Sequence, residues 1–296
     1  MNNSLLLIGG SNIDFIATCS NKLVKHTSNI GIVSITNGGV MRNIAENLAR
    51  LGNKVDFITA IGNDPLGIAL KQELLDLGIN VYTPATKKNT GSYVAINDCN
   101  HDLYAGVCDN QIYDDLSVDY LKSHEDLIRS HEYIGIDTNL NQETIDFLVT
   151  NFPDKKFIVD GISPTKVLKI KNYLDKLFLI KCNIYEARAL MGIDLVEKDL
   201  VSGLLARGAQ NVVVSHGSQD IYFGSNHRKV DLVHVEEIKD FVNTTGCGDA
   251  LTSGVIDYFL AGKKHKEAVA FGNELSRVVL MSKGATSKEI SKFASK

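Results

Sequence analysis

Asn243-Thr-Thr-Gly-Cys-Gly-Asp249 sets a carboxylate directly behind two glycines and ahead of the helix-compatible run 250–260. Small residues at a helix start let successive backbone N–H groups converge on one concavity, and the helix N-terminus adds partial positive charge. Such a pocket, here Gly246, Cys247 and Gly248, stabilises a phosphate or a developing phosphoryl charge. Asp249, in the first helical turn, is placed to take the proton of an attacking hydroxyl. A plain helix cap behind a Gly-rich turn has the same spelling, so the segment alone leaves both readings open. The loop is not a Walker A motif, and no G-x-G-x-x-G follows the first apolar run.

Two further clusters bear on a ligand. Asn37-Gly-Gly-Val-Met-Arg-Asn43 pairs Gly38 and Gly39, which admit close approach to the backbone, with an amide at Asn43 that donates and accepts. Gly10-Ser-Asn12-Ile-Asp14 spaces an amide and a carboxylate two residues apart, so that an extended chain points both one way, as a grip on a vicinal diol requires. Each is also a common turn or cap; their joint occurrence carries the weight. The eight histidines show no metal-ligand spacing such as H-E-x-x-H.

The elements that must position these residues follow from hydrophobic patterning. Leu5–Ile8 reads as a buried strand ending in a Gly turn, 41–51 as a helix closed by Gly52, 56–61 as a strand, and 65–77 as a helix with Pro65 in its first turn. Apolar runs at 133–136, 157–159, 177–180 and 211–215 alternate with helical patterns at 142–149, 185–191 and 200–206. That alternation predicts an α/β fold with a mostly parallel central sheet between two helical layers. The pair 92–96 and 102–107 has no helix between its members and reads as a hairpin off the main sheet. With the segment near 15–35 it forms a small β-sheet lid, drawn from about 12–37 and 90–113 of one domain spanning 1–296.

The chain has 296 residues, with 31 Lys+Arg against 35 Asp+Glu, a balance that argues against nucleic acid as main partner. Five cysteines, at 19, 99, 108, 182 and 247, form no C-x-x-C pair and read as reduced thiols of a cytoplasmic protein. The early apolar run is too short to span a membrane or act as a leader. The charged run 283–296 reads as a solvated amphipathic helix.

These motifs carry a family resemblance. Gly38-Gly39, followed by Asn43-Ile-Ala-Glu-Asn-Leu-Ala-Arg-Leu-Gly52, resembles the N-terminal signature of the ribokinase-like (PfkB) carbohydrate kinases. Thr244-Thr-Gly-Cys-Gly-Asp249 resembles their D-T-x-G-A-G-D signature, and Lys181-Cys-Asn183-Ile-Tyr-Glu186 their N-x-x-E element. Within the family, Gly39-Val-Met-Arg-Asn43, Asn243 in place of the usual Asp, and Val159-Asp-Gly-Ile-Ser-Pro-Thr-Lys166 resemble the branch that phosphorylates pseudouridine.

The resemblance implies a three-layer α/β/α fold and ATP-dependent phosphorylation of a ribosyl 5′-hydroxyl, with Asp249 as base. It implies ribose contacts at Asn12, Asp14, Gly39 and Asn43, with Gly38 beside them, and base contacts at Ser92, Tyr93 and Lys166; Lys166 reads equally as a solvated helix-start lysine. Asn183 and Glu186 serve the phosphate–Mg²⁺ side through water, while Ser215, Gly217, Thr244 and Asn273 line the nucleotide site. A K⁺ site at Asn243, Thr245 and the 282–286 loop is open, because Asn243 removes a carboxylate. Relatives that pair through their lids imply a homodimer. Ribokinase, another nucleoside kinase, and a non-catalytic nucleoside binder are the alternatives. Cys247 stands where the family usually has Ala; it reads as packing or, at a helix start, as an oxidant-sensitive thiol.

Overall fold

The computed structural model describes residues 5–226 and 228–294. The chain opens with β1 (Leu5–Gly10), buried along its whole length, and passes through Ser11 into β2 (Asn12–Cys19). β3 (Gly31–Gly38) returns antiparallel to β2 and leads into α1 (Val40–Arg50). Next come β4 (Val55–Ala60), α2 (Pro65–Asp76), β5 (Asn80–Tyr82), β6 (Gly91–Asn97) and β7 (Leu103–Asp109). The short helices α3 (Val118–Lys122) and α4 (Glu125–Ser130) precede β8 (Tyr133–Asp137), α5 (Gln142–Asn151) and β9 (Lys156–Asp160). A 3₁₀ stretch, Lys166–Lys176, connects to β10 (Leu177–Asn183), α6 (Ile184–Met191) and α7 (Glu197–Ala206). β11 (Asn211–His216), β12 (Gln219–Ser225), β13 (Arg228–Val233), α8 (Cys247–Leu260) and α9 (His265–Leu280) complete it.

Nine strands form one sheet in the order β13-β12-β11-β10-β9-β8-β1-β4-β5, parallel from β11 to β5 with β12 and β13 antiparallel at one edge. Alternate residues of β1 enter opposite cores. Leu5 and Leu7 pack with Met41 and Ile44 of α1 and Leu251 and Val255 of α8. Leu6 and Ile8 pack with Ile145 and Leu148 of α5 and Leu200 of α7. Burial on both faces is why the parallel strands read as continuous apolar runs, and it gives the expected three layers.

The second sheet, β3-β2-β6-β7, is the expected lid. A single residue, Ser11, separates β1 from β2, so the lid grows directly from the carboxyl end of a central strand. In open parallel sheets that end is where ligands bind.

β5, α3, α4 and α9 are elements the sequence reading did not expect, and two further features depart from it. The β12–β13 hairpin lies where no strand was expected. The tail is not a solvated helix: Lys288–Phe293 is a 3₁₀ turn whose Ile290 is fully buried in the core beneath α1 and α9. One large apolar side chain docked in the core outweighs the charge around it, since its burial gains roughly 1.5–3 kcal/mol. Ser295 and Lys296 lie outside the described residues.

Candidate active site

Gly246 caps the N-terminus of α8; its φ of 83° falls in the left-handed region, and a Cβ there would run into the Ala285 carbonyl. The glycine therefore lets the 243–246 turn lie against the 282–286 loop, with Gly248 of the first helical turn beside the Lys181 ammonium. The first N–H groups of a helix lack intrahelical acceptors; those of Gly246 and Gly248 have no backbone partner among the described residues, while Cys247 N–H makes a long bond to the Thr244 carbonyl at 3.4 Å. Ser276 Oγ of α9 donates to the Cys247 carbonyl at 2.7 Å and fixes the turn from below.

Asp249 occupies the first turn and is buried. Asn43, on α1, donates Nδ2 to Asp249 Oδ2 at 2.5 Å, so the two sequence clusters meet across 206 residues. Burial, then the charge of Asp160, push the Asp249 carboxyl up to about 7, against Lys181, the Asn43 bond and Arg42. A base poised near neutrality suits proton abstraction. Asn43 is itself held: Arg42 donates to its Oδ1 and also to Gly38 O at 3.2 Å, Asn37 O at 2.7 Å and Glu46 at 2.5 Å.

Asn12 and Asp14 share a face of β2 and are hydrogen-bonded to each other, with Asp14 against Gly38 and its carboxyl raised, chiefly by burial. The lid register separates the two base-contact candidates. Tyr93 pairs with Asp14 and shares its face, whereas Ser92 pairs with Ile13 and so turns to the opposite face. Period-two alternation makes the two exclusive, so Ser92 is corrected out of the substrate-facing set. Lys166 is not a free surface lysine: it starts the 3₁₀ stretch and donates to Asn139 Oδ1 at 2.6 Å, next to Gly10.

Asn183 ends β10 and caps α6 in a reciprocal capping box with Glu186. Burial and then the charge of Asp160 push the Glu186 carboxyl up to about 7. Ser215 lies in β11 and Gly217 in the turn beyond it. The Thr244 carbonyl accepts from Cys247 N at 3.4 Å, while Asn273 lines a separate cleft of about 690 Å³ with Ile238 and Ser287. Asn243 Oδ1 accepts from Thr245 N at 2.9 Å, and its Nδ2 approaches Gly284 O at 3.5 Å, tying the signature to the 282–286 loop. Burial and the Asp249 charge push the Cys247 thiol up to about 11, which fits packing and not an easily oxidised thiolate.

Sequence reasoning missed a buried charge cluster under the glycines. Lys181 interrupts the apolar β10 and reaches Asp160 Oδ2, at the end of β9, at 3.2 Å. Thr252 Oγ1 donates to the same oxygen at 2.8 Å. A lysine inside an otherwise apolar strand was the available signal, because a buried ammonium demands a partner. Among the described residues no group of three or more His, Cys, Asp or Glu is arranged to hold a metal.

The model of the pfkB family of carbohydrate kinases matches residues 2–292. A pseudouridine kinase of Escherichia coli K12 is 30% identical over 285 residues, covering 93% of this chain and 90% of that one. A carbohydrate kinase from Agrobacterium tumefaciens superposes with a TM-score of 0.84 at 27% identity, over 98% of this chain and 96% of its own. The Arabidopsis thaliana ribokinase solved with ribose and ATP gives 0.82 at 18% identity, over 99% and 98%. The chain belongs to the pfkB family of carbohydrate kinases. Its fold is ribokinase-like, and its activity is that of a sugar or nucleoside kinase.

Proposed function

We propose that the protein transfers the γ-phosphoryl group of ATP to the 5′-hydroxyl of pseudouridine. The observation that carries this reading is Asp249, buried at the N-terminus of α8, raised to about 7 and held by Asn43. The Asn12–Asp14 pair, Gly38, Gly39 and Asn43 grip the ribose hydroxyls, while Tyr93 and Lys166 face the base. Asp249 takes the hydroxyl proton as the oxygen attacks phosphorus, and the Gly246 and Gly248 N–H groups receive the transferring oxygens, joined by Cys247 N–H once it leaves its long bond to the Thr244 carbonyl. The preference for pseudouridine is supported by the relative at 30% identity and by the Arg42, Asn243 and Lys166 spellings.

Ser215, Gly217 and Thr244 line the nucleotide side; Asn273, in the separate cleft beside Ile238, drops out of that set. Glu186 and Asn183 suit Mg²⁺ held through its water shell: burial and the Asp160 charge outweigh the relief that Lys181 and the Asn183 bonds give the Glu186 carboxyl, so a cation beside it would be favourable. Mg²⁺ supplies neutralisation of the β- and γ-phosphate charge. Asn243, Thr245 and the carbonyls of the 282–286 loop are the candidate K⁺ ligands. The reading takes the chain as a cytoplasmic, single-domain enzyme that pairs with a second copy through its lid.

ATP consumption by the purified protein, with Mg²⁺ and with or without K⁺, is compared for pseudouridine, uridine, inosine and ribose. The reading expects kcat/KM highest for pseudouridine by about tenfold or more. Preference for another acceptor retains the Asp249 chemistry and overturns the choice of base. Nucleoside binding with no ATP turnover on any acceptor overturns catalysis itself.

A further inference from the structure

We propose that Arg42 is a positioning residue: its guanidinium dictates which end of the Asn43 amide faces Asp249. The proposal deepens the kinase reading above and rests on it. An amide offers an acceptor at Oδ1 and donors at Nδ2, whereas a guanidinium only donates and a carboxylate only accepts. Asn43 stands between one of each. Arg42 Nη2 donates to Asn43 Oδ1, and Asn43 Nδ2 donates to Asp249 Oδ2 at 2.5 Å. Turned over, the amide would set its NH₂ against Arg42 and its oxygen against the carboxylate. Only one orientation satisfies both neighbours while Asp249 is ionised.

Arg42 can enforce that choice because it is itself held elsewhere. Buried on α1, it donates through Nε to the Gly38 carbonyl at 3.2 Å, through Nη2 to the Asn37 carbonyl at 2.7 Å and through Nη1 to Glu46 Oε2 at 2.5 Å. Glu46 is braced in turn by Arg50 Nε at 2.9 Å and Nη2 at 2.7 Å. The guanidinium is thus fixed by the backbone ahead of α1 and by the next turns of the helix, and the amide adapts to it. Balancing Glu46 is a weak reason to bury an arginine, because an apolar pair of similar volume serves stability as well. Lysine would keep the charge but not the planar fork that reaches all four acceptors.

The test removes the guanidinium and its counter-charge together, in Arg42→Met with Glu46→Leu, so that a neutral pair is buried and one charge of each sign is lost. Arg42→Lys, which keeps the charge without the fork, is the second probe. Asp160, Lys181 and Glu186, which also act on Asp249 or feel its charge, stay in place. Two readouts follow the Asp249 carboxyl: the acidic limb of kcat/KM against pH on the best acceptor, and the NMR titration of the carboxyl carbon, assigned with Asp249→Asn. Freed from Arg42, the amide can turn its oxygen toward a protonated Asp249, which favours the acid. Both readouts are expected to move up by about one pH unit, lowering kcat/KM at pH 7 about fivefold. In an Asn43→Ala background the same changes are expected to move them by less than about 0.3 pH unit, because the amide through which Arg42 acts is gone. An unmoved titration in a folded variant overturns the proposal, and so does a full-size shift that persists in Asn43→Ala. Melting curves identify a variant that fails to fold, and the other then decides. Wild type inert toward every ribosyl acceptor overturns the kinase reading instead, and the carboxyl titration, which needs no turnover, still decides on Arg42.

Discussion

At Asp249, burying a charge and using it oppose one another. Ionisation is needed for proton abstraction, yet the pocket holds the carboxyl near 7 against an ordinary 3.8. kcat/KM is therefore expected to fall about tenfold per pH unit below that value, read from a pH–rate profile. Stability follows the opposite sign. Between about pH 4 and 7 the folded state keeps a proton that the unfolded state has lost, so this group's contribution declines as pH rises through that window. Asp249→Asn is expected to lower kcat by about 10³-fold while acceptor affinity stays within about threefold. The same variant melts roughly 2–6 °C above wild type at pH 8, the gain shrinking near pH 5. Unchanged melting at pH 8 would mean that the carboxylate is better solvated than its surroundings indicate. Asp249, its glycines and Asn43 were legible in the sequence because each sits in a compact motif. Lys181 and Asp160 were not: they lie 21 residues apart on different strands, and only the order of β9 and β10 makes them partners.

The start of α8 is the element on which the site depends. Gly246 combines a left-handed φ with direct contact to the Ala285 carbonyl, so an added methyl group must shift either the turn or the 282–286 loop. Gly246→Ala is expected to destabilise the fold by about 1–3 kcal/mol, and to lower kcat more than a surface change of equal destabilisation does. Thermal melts and kcat measured together check this; lost stability with unchanged kcat would show that the loop yields without moving the helix N-terminus. Much of the fold was legible at this scale, since the parallel strands bury both faces and read as apolar runs. β12 and β13 were not: β12 offers only the three-residue run Ile221-Tyr222-Phe223, and β13, at the sheet edge, interrupts its apolar residues with Asp231. Lys166–Lys176 has apolar spacing at Val167, Ile170 and Leu174 that suits an α-helix or a 3₁₀ helix equally, and it is 3₁₀.

The lid leaves the whole molecule with unburied apolar surface. Register puts Ile35, Phe15, Val94 and Val107 in one row across its four strands, with Val33, Ala17, Ile96 and Ala105 in the next row on the same face. Ile35, Val33 and Val107 are 54–68% exposed, although Asp14 and Tyr93 point to the other face. A contiguous apolar sheet face open to water marks an association surface, and a second copy of the lid offers the same rows in reverse, as a two-fold contact requires. The protein is therefore expected to run as a dimer of twice 32.4 kDa in light scattering. Ile35→Glu with Val107→Glu is expected to give monomers, because like charges then meet across the interface. Those substitutions lie on the face away from Asp14 and Tyr93, so acceptor affinity per chain stays within about threefold unless the partner also holds the lid over the ribose. A wild-type monomer up to about 50 μM would sink the lid pairing, since an interface of ordinary size holds below that concentration. Monomers with intact kcat but weakened acceptor binding would instead show that the second copy stiffens each lid over its own site.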